Sequence, residues 1–254
     1  MPLQQSQALV LKSFKLGESD KVVVFFTRRF GKLRGVARGA RLLKNPFGGG
    51  LEPFTYVNLI FFEKRPQALV QIDSCDIIRS CYTFQGKVVI ASLLAYLADL
   101  VDGFSQERDP NDKLFRLLLA GLNGVESQVE PLIIARYFEV WLLKLNGLFP
   151  SLRNCSQCGK RFPREVEITI HPGGGFLCPS CSHRLPHKGE SLPPRAARAI
   201  SSVLKRSLLD LKGWEEIVKS DRDIELLTRR LILSNLGKEL PSLVFFQHLF
   251  GKEA

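Results

Sequence analysis

The hydrophobic pattern changes period once along the chain, near Thr83, and that change constrains the fold more than any other feature. Before it lie five short runs, residues 8–14, 21–27, 31–37, 55–63 and 68–76, most of them rich in Val, Ile and Phe. Such side chains suit a pleated backbone, and Gly17, Gly31, the NPFGGG stretch at 45–50 and the Arg65-Pro66 pair punctuate the runs as turns. In TYVNLIFFE the alternation predicts Thr55, Val57, Leu59 and Phe61 facing a core, with Tyr56 and Asn58 facing out. After Thr83 apolar residues recur every three to four positions in QGKVVIASLLAYLADLVDGF, DKLFRLLLAGLNG and EPLIIARYFEVWLLKLNG, so helices follow strands. Pro131 sits where a first helical turn tolerates proline, and Gly147 follows the last periodic residue as a stop.

Five short strands in about 80 residues can close into a small barrel, and the five-stranded OB-fold is the candidate. The expected class is α+β, with an OB-fold barrel over residues 1–80 and an α-helical domain over 81–254. Helical periodicity is interrupted from about Asn154 to Lys188 and resumes in PPRAARAISSVLKRSLLDL, DIELLTRRLILSNLG and SLVFFQHLF. The non-helical segment, 150–188, is therefore an insertion within the helical domain.

That insertion holds four of the six cysteines. Cys155 and Cys158 form one C-x2-C, Cys178 and Cys181 another, with EVEITI and the turn at Gly173 to Gly175 as a short hairpin between them. Two intervening residues let both thiolates of a pair reach one ion, and Gly159 supplies the backbone freedom of the tight turn. The spacing reads as a zinc finger in which one Zn2+ has all four positions filled by protein, which makes it structural rather than catalytic. A redox C-x-x-C calls for a single pair in a βαβ setting, and disulfides for an oxidising compartment. His171 and His183 lie off the knuckle spacing and read as surface residues, while Cys75 and Cys81 read as small buried or partly buried side chains.

The chain carries a formal charge of +11, from 36 Lys and Arg against 25 Asp and Glu. A field of this sign attracts polyanions, nucleic acid first. The charge concentrates in TRRFGKLRGVARGAR, where Arg28, Arg29, Lys32, Arg34, Arg38 and Arg41 stand with no acid in the local sequence. On a strand at 31–37, Lys32 and Arg34 share a face while Leu33 and Ala37 point inward, which suits a groove that tracks a phosphate backbone. Phe30, Phe47 and Tyr56 are candidates for base stacking, none preferred over the others.

Motifs for enzymatic chemistry are missing from the sequence: no G-x-x-x-x-G-K-[ST], H-E-x-x-H or G-x-S-x-G occurs. Asp109, Asp112, Asp221 and Asp223 fall at expected helix starts and read as caps. The longest greasy segment, 88–100, contains Asp99 and is shorter than the ~20 residues of a membrane span. With no secretory pattern at the N-terminus, a noncatalytic cytoplasmic protein that makes no membrane contact is expected. A protein–protein adaptor held together by zinc, with an incidental basic barrel, is the alternative.

Two stretches, ESDKVVVFFTRRFGKLRGVARGAR and LNGLFPSLRNCSQCG, resemble the RecO family of bacterial recombination and repair mediators. The resemblance implies an OB-fold followed by a helical domain with a zinc finger. It further implies binding of single- and double-stranded DNA, annealing of complementary strands, and action with RecR and RecF to load RecA onto DNA coated by single-strand-binding protein. The acidic C-terminal tail of that protein is implied to dock on the helical domain, with Lys205, Arg206, Arg229 or Arg230 as contacts, and the chain to be nucleoid-associated. The family's barrel cations fall on Arg28, Arg29, Lys32, Arg34, Arg38 and Arg41, and its metal ligands on Cys155, Cys158, Cys178 and Cys181.

Overall fold

A computed structural model describes residues 3–63, 69–80, 84, 86–171, 174–184, 189–210 and 214–250. Five strands, β1 (Gln4–Leu16), β2 (Asp20–Thr27), β3 (Gly31–Ala37), β4 (Tyr56–Phe62) and β5 (Val70–Arg79), form a closed barrel in the order β1-β2-β3-β5-β4. The barrel is of the OB type, as the run of short strands predicts. Strand β1 serves two neighbours: Gln4 to Leu9 pair with β4 and Ala8 to Leu16 with β2, and a bulge between Val10 and Lys12 turns it from one to the other. Closure is made by a short parallel contact, Gly35 with Val70 and Val36 with Gln71. Gly35 permits it, because a Cβ there would lie 2.9 Å from side-chain carbons of both Ile72 and Val70.

Val10, Val23, Phe25, Leu33, Val57, Leu59, Phe61 and Ile72 fill the interior. Thr55, Val57, Leu59 and Phe61 are buried as the alternation predicts. Tyr56 departs from it: the ring is also buried, 6.2 Å from that of Phe115, because a helix covers this part of the barrel's outer surface.

The helices are α1 (Val88–Phe104), α2 (Asp112–Glu126), α3 (Pro131–Leu145), α4 (Pro179–Ser182), α5 (Pro194–Val203), α6 (Glu215–Lys219), α7 (Asp221–Leu236) and α8 (Pro241–Phe250). Helix α5 stops earlier than its apolar pattern suggests. The Ser207 hydroxyl and carbonyl accept the amides of Leu209 and Asp210, a local turn that competes with helix. Between the helices a small sheet orders as β7-β6-β8, from β6 (Ile168–Ile170), β7 (Phe176–Leu177) and β8 (Glu190–Leu192). The β6–β7 pair is the hairpin expected in the insertion; Cys81 and Gly173 lie outside the described residues.

Spatial contact divides the chain differently from secondary-structure type. One compact unit holds residues 1–122 with 239–254, and the other 123–238. In the first, α8 packs on α1, with the rings of Tyr96 and Phe246 stacked at 6.0 Å and Ser242 donating to the Asp99 carboxylate. In the second, α3 packs on α7 around a buried arginine: Arg136 donates to Asp221 at 2.7 Å and to Glu139 at 2.7 Å, while Thr228 donates to the other Glu139 oxygen at 2.6 Å. Among the described residues no helix is long and apolar enough to cross a membrane.

Candidate metal centre and nucleic-acid interface

Two knuckles converge because each is tied to the small sheet. The first is closed by the Gly159 amide donating to the Cys155 carbonyl at 2.9 Å, with Gly159 in the left-handed region at φ +70°. It is held against β7 by the Ser156 amide, which donates to the Phe176 carbonyl at 2.9 Å. The second is the start of α4, where the Cys181 amide donates to the Cys178 carbonyl at 3.0 Å.

The four sulfurs lie within 4.8 Å of one another, and Sγ of Cys158 and Cys178 are 3.9 Å apart. A tetrahedral ion with sulfur bonds of about 2.3 Å needs its ligands about 3.8 Å apart, so the donor set fits a single metal ion. His171 and His183 contribute no atom to this group. Burial opposes ionisation of Cys155, yet amide donors on Cys158, Cys178 and Gln157 bring its thiol down to about 6. Hydrogen bonding to Cys178, then burial and the remaining sulfurs, push Cys181 up to about 12. Four thiolates this close repel one another, and a bound dication removes the conflict.

The six barrel cations do not form a single track. Arg28 and Arg29 sit in the β2–β3 turn, while Arg38 and Arg41 follow β3 at its far end, about 20 Å away for a seven-residue strand. Lys32 and Arg34 lie between them on the outer face of β3.

The acids missing from the local sequence arrive from residues 99–112. Lys32 is buried, its ammonium group donating to the Asp102 carbonyl at 2.7 Å and carboxylate at 3.1 Å. Lys12 bridges Asp99 and Asp102, each at 2.7 Å. Arg28 pairs with Asp112 at 2.8 Å and Arg34 with Glu107 at 2.9 Å, and both pairs are exposed to solvent, where such contacts are weak. Arg29, Arg38 and Arg41 are exposed and have no carboxylate within ion-pair distance among the described residues. Arg29 lies over the Phe30 ring at 5.5 Å, and Arg41 donates to the Gly17 carbonyl at 2.6 Å.

The predicted cap at the start of α2 is displaced by this pairing. Asp112 binds Arg28 and Arg116, and the Leu114 amide is capped instead by Asn111 at 3.0 Å. Likewise Asp221, expected to cap, binds Arg136. Asp109 contributes its backbone, which leaves no room for a Cβ on Gly31. Asp99 and Asp102 carry the one sequence signal for these pairs, two carboxylates one turn apart in an otherwise apolar helix.

Burial disfavours the Asp102 carboxylate, but donation from Lys12 and Lys32 holds its pKa below the usual range. Its contribution to stability is therefore complete above the ordinary value of about 3.9 and is lost as pH falls through the lower folded value. Asp102→Asn is expected to lower stability at pH 7 and to flatten the acid limb. Urea midpoints at pH 7 and pH 3 check this; an unchanged pH dependence contradicts it.

Of the three stacking candidates, Phe47 and Tyr56 are buried, and Phe30 packs edge-on against Phe61 at 5.4 Å. All three belong to the core or its lining.

The family model described as the N-terminal part of recombination protein O matches residues 1–81, and that described as its C-terminal part matches residues 89–243. A DNA repair protein RecO from Syntrophus aciditrophicus is 32% identical over 252 residues, 98% of this chain and 92% of its own length. One from Thermoanaerobacter sp. is 32% identical over 250 residues, 98% of this chain and 99% of its own. One from Koribacter versatilis is 37% identical over 177 residues, 69% of this chain and 71% of its own. With both family models matched in order and relatives aligned almost end to end, the chain belongs to the RecO family of DNA repair proteins.

Proposed function

We propose that this chain is a noncatalytic recombination and repair mediator that binds single- and double-stranded DNA through its barrel and anneals complementary strands. It acts with RecR and RecF to load RecA onto DNA coated by single-strand-binding protein, in the bacterial cytoplasm at the nucleoid. The acidic tail of the coating protein docks on the 81–254 region, where Lys205 and Arg206 are exposed and Arg229 and Arg230 half-buried. One structural Zn2+ binds Cys155, Cys158, Cys178 and Cys181.

The observation that carries the DNA-binding part is the set of exposed arginines that form no close ion pair among the described residues, Arg29, Arg38 and Arg41, on a barrel of the OB type, with Arg38 also in the field of the Asp20 carboxylate. Arg28 and Arg34 join them when phosphate displaces Asp112 and Glu107, while Lys32 stays committed to Asp102. Affinity for a single strand is expected to fall with salt at a log-log slope of about −0.7 per phosphate neutralised. The triple replacement Arg29→Ala, Arg38→Ala, Arg41→Ala is expected to reduce that slope by about 2 and to weaken all sequences alike, because phosphate contacts carry no base information. Titrations at four salt concentrations measure it, and an unchanged slope rules out these three as phosphate ligands.

The capture of three of the six cations by Asp102, Glu107 and Asp112 favours a second reading, a protein–protein adaptor without direct DNA activity. Failure of the purified chain to bind or anneal DNA at low salt, with partners recovered from nuclease-treated extract, selects it.

A further inference from the structure

The outer face of β1, β2 and β3 is covered at one end and bare at the other. Cross-strand partners share a face, so Lys12, Val24 and Arg34 form one row and Phe14, Val22 and Val36 the next. The first row lies under the acids of residues 99–107, and beyond it Phe26 is buried against the Phe115 ring at 6.5 Å. Past Arg34 that cover stops: Phe14 is 53% exposed, and Leu16, two residues on and on the same face, is 42% exposed.

The β3–β4 loop borders this bare end. It is pinned to the β1–β2 turn by the Arg41 amide on the Ser19 carbonyl at 2.9 Å and the Gly39 amide on the Asp20 carboxylate at 2.9 Å. Its tip presents Leu42 and Leu43, 56% and 106% exposed. Single exposed apolar residues are ordinary, but Phe14 and Leu16 expose two on one face, and the loop tied to the neighbouring turn adds Leu42 and Leu43 at the same end of the barrel. The loop brings three exposed cations, Arg38, Arg41 and Lys44, against Glu18 and Asp20, whose carboxylate accepts from the Gly39 amide and feels the Arg38 charge.

An apolar aromatic surface inside a cationic rim matches a polyanion whose bases are free to stack. A duplex presents phosphates but keeps its bases stacked on one another, so it can use the rim and not the ring. We propose that Phe14 is a stacking platform for an unpaired base of single-stranded nucleic acid, with Arg38 and Arg41 holding the neighbouring phosphates. The inference rests on the DNA-binding reading above and adds to it a site that separates single strands from duplex.

The test measures binding of the full chain to three probes: a dT oligonucleotide, an abasic oligonucleotide of the same length and a blunt duplex. Phe14→Ala is expected to weaken dT binding about tenfold, the loss of one base stack, with abasic and duplex affinities and the salt slope unchanged. Phe14→Trp is expected to retain dT affinity and to show fluorescence quenched by dT and not by the abasic strand. Phe14→Leu, which keeps an apolar side chain without the ring, is expected to behave as Phe14→Ala; thermal melting of all three variants checks that they fold. Should Phe14→Ala misfold, Phe14→Leu and Phe14→Trp decide the matter. If the wild-type chain binds dT and both non-aromatic variants bind it equally well, the platform is refuted and the DNA-binding reading stands. If the wild-type chain binds no single strand, that reading fails and the platform with it. Loss of a protein partner with dT affinity intact makes the patch a protein-docking surface and overturns the proposal.

Discussion

Arg136→Met is expected to lower the stability of the unit formed by residues 123–238 by about 3–5 kcal/mol, because it strands the Glu139 carboxylate in the interior between α3 and α7. The side chains of Arg136 and Glu139 are 2% and 1% exposed, so neither can turn to water when its partner is removed. Three carboxylates converge on the guanidinium, those of Glu139, Asp221 and Glu225, and Thr228 donates to the second Glu139 oxygen. Burial opposes the Arg136 charge, yet those carboxylates more than offset the penalty and leave its pKa raised. The chain's two tryptophans, Trp141 and Trp214, both lie in this unit, so urea unfolding followed by their fluorescence reports on it selectively. The double variant Arg136→Met, Glu139→Leu removes both buried charges and is expected to recover much of the loss. A single-variant loss below 1 kcal/mol, or a double variant no better than the single, refutes this account of the network.

With Zn2+ held by the four cysteines as proposed above, its removal, or Cys155→Ala, is expected to unfold the cysteine-bearing lobe while the barrel stays intact. The segment has little core to fall back on: β6 and β7 are three and two residues long, and α4 has four. In such a lobe metal affinity becomes folding energy, with apparent values of about 10–16 kcal/mol for structural zinc in finger peptides. Metal content should fall from one ion per chain to none. Trypsin should then cut at Lys160, Arg161 and Arg164, and the barrel's far-ultraviolet signal should persist. Because protons compete for the thiolates, the metal should leave as pH falls. A variant that loses the ion yet resists cleavage in 154–184 shows that the lobe folds on its own.

What could be read from the sequence follows the distance over which each interaction acts. The five strands and the cysteine cluster are local: β3 starts and ends where Gly31 and Ala37 predict, and each knuckle closes within five residues. The ion pairs on the barrel are not local. Arg28 meets Asp112 across 84 residues, Lys32 meets Asp102 across 70 and Lys12 meets it across 90, so an acid-poor stretch of sequence becomes an acid-paired surface in space. Strand β8 was hidden for another reason. It is three residues long, and the glycine before it marks contact rather than a turn, since a Cβ on Gly189 would lie 1.9 Å from the Ile170 carbonyl oxygen.

Helix α8 sets a timetable for synthesis. Its Ser242 bonds to Asp99 across 143 residues, and its Phe246 covers Tyr96 of α1. At about 5–20 residues per second a ribosome needs roughly 7–30 s to travel that interval. The unit of residues 123–238 is delivered entirely within it, so the lobe in the middle of the chain can finish folding before the barrel's own helical layer receives its last member.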